Sequence, residues 1–211
     1  MLKIESTKLE SYSSDHSTSP PVITMPRAFN AAHDLLERNI LAGRSEKVAY
    51  IDDSGSYTYD DLKLRVNQSG NALRKLGLNM EDRVMIVHSD TIDFPAVFLG
   101  AIKVGIVPIA VNTLLTPSDY QFMMEDSRAK ALIVASPFLD NLGEAIANSN
   151  HLEHIIVSGE PSPQHHHLQS LQSQSDGECE PAITSCDDTC FWLYSSGSTG
   201  APKGTIHVHS S

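Results

Sequence analysis

The chain has 211 residues, enough to bury a core as one large domain or two small ones, and carries a formal charge of −11. That acidity argues against a nucleic-acid surface, which needs a clustered basic face. No run of about eighteen apolar residues is present to span a bilayer. The N-terminus lacks the apolar stretch of a signal peptide, and its Glu5, Glu10 and Asp15 with no Arg make a poor mitochondrial presequence. The expectation is a cytoplasmic protein with no membrane or nucleic-acid partner.

Residues 1–24 are rich in Ser and Thr, end near Pro20-Pro21 and have little to bury, so they read as a disordered tail. Asn30 can then cap a helix running to Ala42, with Phe29, Ala32, Leu35, Leu36 and Ile40 on one side and Gly43 as its stop. A strand over 47–52, a turn at Asp53-Ser54-Gly55 and a returning strand over 56–59 make a hairpin. Thr58 with Asp61 is a capping-box variant for the next helix, which carries Leu62, Val66, Ala72, Leu73 and Leu76 and ends at Gly77. The apolar run over 83–88 has the character of a buried parallel strand. A helix over 91–104 tolerates Pro95 in its first turns, and a strand over 107–111 follows Gly105. Thr116-Pro117 opens a further helix, 131–135 is a strand, Ser136-Pro137 opens a helix to about Ala147, and 154–158 is another strand. Strand and helix alternate with short connections. This predicts an α/β protein, with a layered, mainly parallel sheet and helices on its faces.

The stretch over 159–181 is a Pro, Gln, Ser and His tract, expected as a flexible surface loop. It contains His165-His166-His167, but three adjacent His residues rarely converge on one ion, so no metal site is assigned. Cys179, Cys186 and Cys190 form no CxxC pair and suggest reduced thiols rather than a disulfide framework or zinc.

From Phe191 the pattern changes. Phe191-Trp192-Leu193-Tyr194 reads as a short buried strand, and it breaks into Ser195-Ser196-Gly197-Ser198-Thr199-Gly200-Ala201-Pro202-Lys203-Gly204. Glycines at 197, 200 and 204 let the backbone approach a ligand, the hydroxyls add donors beside exposed N–H groups, and Lys203 supplies a full positive charge. Together these suit a polyphosphate. The spacing is not that of a Walker A loop, which has four residues between its glycines and ends in Gly-Lys-Ser/Thr. A flexible Ser/Gly linker is the bland alternative, but it gives no reason for the aromatic strand before it or the Pro-Lys-Gly step after it. His207 and His209 lie two apart on a strand over 205–209 and so share a face. With no third ligand apparent, a structural or substrate-adjacent role fits them better than a metal pair.

Residues 194–204 resemble the phosphate-binding signature of the adenylate-forming superfamily, which holds acyl- and aryl-CoA ligases, luciferases and peptide-synthetase adenylation domains. The resemblance is nearest to benzoate-CoA ligases and their hydroxybenzoate relatives. It extends through Tyr50-Ile51-Asp52-Asp53, Tyr57-Thr58-Tyr59, Thr91-Ile92-Asp93-Phe94-Pro95 and Ala110-Val111-Asn112-Thr113-Leu114-Leu115-Thr116. It implies that residues 25–211 are the first part of the large N-terminal domain of such an enzyme. It further implies a reaction in which a small aromatic carboxylate attacks ATP to give an acyl-adenylate and pyrophosphate, and coenzyme A then displaces AMP. By the same likeness Ser195, Ser196, Gly197, Ser198, Thr199, Gly200 and Lys203 bind the ATP phosphates. Mg²⁺ is the expected counterion, although no metal-ligand positions can be matched. The family is more than twice as long. Its adenine-binding motif, magnesium-binding acid, acyl pocket and catalytic Lys find no counterparts here, so no catalytic residue is assigned and the chain alone is expected not to turn over. A ligase for another carboxylic acid and a non-catalytic truncated product remain open alternatives, as does a homo-oligomer.

Overall fold

The computed structural model describes residues 8–195 and 202–211. In chain order the elements are β1 (Ser13–Asp15), β2 (Val22–Thr24), α1 (Ala31–Leu41), β3 (Val48–Asp52), β4 (Gly55–Thr58), α2 (Tyr59–Lys75), β5 (Arg83–Val87), α3 (Asp93–Lys103) and β6 (Val107–Ala110). There follow α4 (Pro117–Ser127), β7 (Ala131–Ala135), a 3-10 turn (Ser136–Phe138), α5 (Leu139–Ala147), β8 (His154–Ser158), β9 (His166–His167), α6 (Leu168–Ser173), β10 (Thr189–Ser195) and β11 (Lys203–Val208).

The helices begin where their own side chains cap them. Asn30 Oδ1 accepts from the His33 N–H at 3.1 Å, and Thr58 with Asp61 and Thr116 with Asp119 form complete capping boxes. Gly43 and Gly77 follow α1 and α2 with φ of 71° and 89°, the left-handed step that lets the chain leave a helix.

Seven strands form one sheet in the order β11-β10-β6-β5-β7-β8-β9, parallel throughout except for the antiparallel pair β10–β11. The period of two along the central strands sorts their side chains between two cores. Val84 and Ile86 of β5, Ile133 of β7 and Ile156 of β8 pack with Leu73, Val97, Ala101 and Leu168 from α2, α3 and α6. Their neighbours Met85, Val87, Leu132, Val134 and Val157 face the other way, against Tyr120, Met124 and Leu142 from α4 and α5. This is the layered α/β arrangement expected from the alternation of elements.

Helices α2 and α3 touch through glycine. A methyl group at Gly100 would lie 2.8 Å from the Val66 carbonyl oxygen, and one at Gly70 would lie 3.0 Å from the Gly100 carbonyl oxygen. The two backbones are therefore in direct contact, a distance larger residues would prevent.

Two stretches differ from expectation. Within the N-terminal tail, residues 8–24 carry the antiparallel pair β1–β2 rather than lying without structure. The Arg38 guanidinium sits 3.8 Å from the centre of the Tyr12 ring and donates to the Tyr12 carbonyl at 2.7 Å. The tract over 159–181, expected as a flexible loop, adds β9 to the sheet edge and packs α6 on the core, with Leu168 and Gln172 buried. Its backbone is held by donors on the polar side of α2. Asn67 donates to the Gly177 carbonyl at 2.7 Å, and Asn71 donates to those of Asp176 and Glu178 at 2.9 and 2.7 Å. Arg74 and Lys75 donate to those of Glu180 and Gln174. These donors stand about a hundred residues away, so the tract's own composition carried no sign of them.

Candidate functional site

The aromatic strand expected before the phosphate-type loop is β10. It lies parallel beside β6, with Trp192 opposite Ile109 and Leu193 opposite Ala110, and so enters the body of the sheet. Its two faces are anchored differently. Phe191 stacks on the His207 ring at 4.5 Å with 7° between planes and meets Phe98 of α3 at 5.4 Å. Tyr194 turns to the opposite core, where its hydroxyl donates to Asp126 Oδ2 at 2.6 Å. Burial, then the Asp126 carboxylate, push the Tyr194 phenol well above its ordinary range, so it remains a neutral donor.

The strand returns as β11, antiparallel, with Tyr194 opposite Gly204 and Ser195 opposite Lys203. The absence of a side chain on Gly204 leaves its surface to the Tyr194 and Trp192 rings. A methyl there would already touch them at 3.4 and 3.5 Å. Ser195 and Lys203 therefore stand side by side, both exposed, at the open end of a hairpin. Ser196, Gly197, Ser198, Thr199 and Gly200 fall outside the described residues. The two that are described flank the connection, one with a hydroxyl and the other with an ammonium group. A hydroxyl and an ammonium group side by side are chemistry that suits an anion.

Both histidines after the loop make contacts within the fold. His207 is the ring stacked on Phe191. His209 is buried, and its Nδ1 accepts the Ala31 N–H at 3.1 Å, at the first residue of α1. Burial pushes its ring down to about 4, and Asp188 only partly opposes this, so it serves as a neutral acceptor. Asn30 completes the joint by donating to the Ile102 and Lys103 carbonyls at 3.1 and 3.3 Å. The strand leaving the candidate loop is thereby tied to α1 and to the end of α3.

The three cysteines are free, and burial pushes the Cys190 thiol up to about 12. His166 and His167 lie on β9, where His167 contacts the Gly159 carbonyl and Ser170. Among the described residues no three His, Cys, Asp or Glu side chains gather closely enough to hold a metal ion, and no helix is long and apolar enough to cross a membrane.

The comparisons agree on one family. Residues 36–211 match the family model described as AMP-binding enzyme. The chain is 53% identical over 197 residues to a benzoate–CoA ligase of Thauera aromatica, covering 93% of this chain and 37% of that protein. It is 44% identical over 186 residues to a 4-hydroxybenzoate–CoA/benzoate–CoA ligase of Rhodopseudomonas palustris, covering 88% and 34%. Among solved structures, an anthranilate CoA ligase, AuaEII, in complex with anthranoyl-AMP superposes with a TM-score of 0.84 at 35% identity, over 88% of this chain and 36% of that one. A benzoate CoA ligase from Burkholderia xenovorans superposes with a TM-score of 0.77 at 39% identity, over 86% and 35%. The chain thus spans little more than a third of the length of these relatives. With this superposition over most of its length, and a family match running from residue 36 to the last residue, the chain belongs to the AMP-binding enzyme family.

Proposed function

We propose that this chain supplies the phosphate-gripping hairpin of an ATP-dependent, AMP-forming ligase that joins an aromatic carboxylic acid of the benzoate type to coenzyme A. The observation that carries the reading is the pairing of Ser195 with Lys203 across the mouth of the β10–β11 hairpin, with the Ser-Gly-Ser-Thr-Gly sequence between them. The first half-reaction displaces pyrophosphate from the α-phosphorus of ATP and asks little covalent help of the protein. It asks that the phosphates be held in line and their growing charge offset. The hydroxyls of Ser195, Ser196, Ser198 and Thr199 and the loop amides would hold the β- and γ-phosphates. Gly197 and Gly200 would let the backbone close on them, and Lys203 would offset charge at the rim. Mg²⁺ would supply further charge neutralisation when bound with ATP, and coenzyme A would be the second substrate. The identities to benzoate and hydroxybenzoate ligases support an aromatic acid.

The test is benzoate-dependent exchange of pyrophosphate into ATP by the complete protein, with and without Thr199→Ala and Lys203→Ala combined. Loss of the two groups should lower the exchange rate by roughly a hundredfold or more. An unchanged rate would remove the hairpin from the mechanism. Absence of exchange with any aromatic acid, while another acid supports it, would move the substrate but keep the reaction.

A further inference from the structure

The sheet reverses direction beside β5. From β5 the chain crosses through α3 to β6 on one side, and from β6 it crosses through α4 to β7 on the other. Helix α3 belongs to one face and α4 to the opposite face. The loops therefore part at the carboxyl ends of β5 and β7, and open α/β sheets take their ligands in the crevice such a parting leaves. A cavity of about 470 Å³ lies there, floored by the ends of β5, β7 and β8 and walled by the β3–β4 hairpin, α2 and α6. The β10–β11 hairpin is not among its walls. The strand order sets β10 two places from β5, roughly 10 Å across the sheet.

Most polar groups in this crevice are already satisfied. Asp93 Oδ2 accepts from Ser158 Oγ at 2.8 Å and Gln169 Nε2 at 2.6 Å. Asp52 accepts from the N–H groups of Ile92, at 2.9 Å, and of Ser54 and Gly55, which hold its carboxyl below the usual range. Two groups are left over. His88 is buried, 7% exposed, with Nδ1 2.8 Å from the Ser89 carbonyl oxygen. A carbonyl only accepts, so Nδ1 bears the hydrogen, and in that tautomer Nε2 is an acceptor. Nε2 has no hydrogen-bond partner. Arg65 makes no side-chain hydrogen bond of ordinary length among the described residues. Its nearest carboxylate oxygen is Asp93 Oδ1 at 3.6 Å, and its guanidinium lies 5.3 Å from the centre of the Tyr57 ring. A guanidinium held by a long ion pair to Asp93, with no side-chain hydrogen bond of ordinary length, and one unfilled acceptor thus belong to residues lining the same crevice.

We propose that this crevice is a second small-molecule site, taking a hydroxylated carboxylic acid whose carboxylate pairs with the Arg65 guanidinium and whose hydroxyl donates to His88 Nε2. A guanidinium matches a carboxylate with two parallel hydrogen bonds, which an ammonium or a hydroxyl cannot reproduce. A buried acceptor without a donor discriminates strongly in favour of the ligand that brings one. The site is independent of the ligase reading, because none of its walls comes from the phosphate hairpin.

The experiment is titration of the ¹⁵N-labelled chain with 4-hydroxybenzoate, 3-hydroxybenzoate, benzoate and 4-hydroxybenzamide, read by amide shifts. At least one hydroxybenzoate should saturate shifts at Ser89, Thr91 and Gly159 at or below roughly millimolar concentration. Benzoate, lacking the hydroxyl, and the amide, lacking the charge, should each bind at least roughly tenfold more weakly. Arg65→Met and His88→Phe should each cause a comparable loss, and Arg65→Lys should recover only part of the first. Comparable affinity for benzoate or for the amide would overturn the assignment without recourse to any variant. So would shifts confined to Tyr194 and Lys203–Thr205, or no saturable shift at all.

Discussion

His209 shows how a single ring couples the candidate loop to the rest of the chain and to pH. Buried and accepting from the Ala31 N–H, it is pushed down to about 4 from an ordinary value of 6.5. As pH falls, the unfolded chain takes up the proton before the folded one does. The ring's contribution is therefore complete above about pH 6.5 and is lost as pH drops toward 4, a loss of at most about 3 kcal/mol. Urea unfolding of the chain should show falling stability across that window. His209→Gln, which keeps an acceptor but does not titrate, should flatten most of the slope. His33, also pushed down by burial, contributes to what remains. The carboxyls of Asp61 and Asp119, held low by their capping partners, lose their contribution only as pH falls below about 3.8, so the windows separate.

At the scale of elements, the glycine contact between α2 and α3 invites a paired test. Gly100→Ala forces a methyl against the Val66 carbonyl and should cost roughly 1–3 kcal/mol. Gly143→Ala, in α5 with nothing within 4 Å of the new methyl, should instead stabilise by roughly 0.5–1 kcal/mol. Thermal unfolding of the two variants should move in opposite directions. Both effects rest on the same substitution, so backbone entropy cannot explain the difference. The elements legible in the sequence were those that carry their own signals. Asn30, Thr58 and Thr116 announce helix starts through side chains that bond within three residues. The central strands announce themselves by apolar runs. Leu35, placed on the buried side of α1 by its spacing, is 47% exposed, since Ala32 and Leu36 already fill that face. The missed elements depend on partners far along the chain: α6 and the carbonyls after it on α2, Tyr12 on Arg38. The crevice was invisible for the same reason. His88, Arg65, Asp93 and Gln169 share no spacing, and only the crossing of α3 and α4 to opposite faces brings them together.

For the whole molecule, the outer strand matters most. Among the described residues β11 pairs only with β10, leaving one side of its backbone open. Ile206 on it is 56% exposed. Such an edge is a template for another strand. Ile206→Lys should lower self-association in sedimentation velocity while changing stability by no more than roughly 0.5 kcal/mol. A variant that self-associates as before would shift attention to other surfaces. The stretch between Ser195 and Lys203 stands out in the sequence as a candidate phosphate loop, because hydroxyl and glycine content is a local property. The placement of β10 between β6 and the edge strand β11 was not legible, since pairing is long-range.

Trp192 gives this arrangement a practical consequence. It is the one tryptophan in the chain and sits half-buried on β10, three positions before Ser195, with its indole nitrogen lacking an acceptor. Its emission therefore comes from a single place, next to the hairpin mouth. Adding ATP to the unlabelled protein should change that fluorescence, and the combined Thr199→Ala and Lys203→Ala variant should stay dark to the nucleotide. With the proposed phosphate grip in place, the chain would carry its own built-in optical gauge of it.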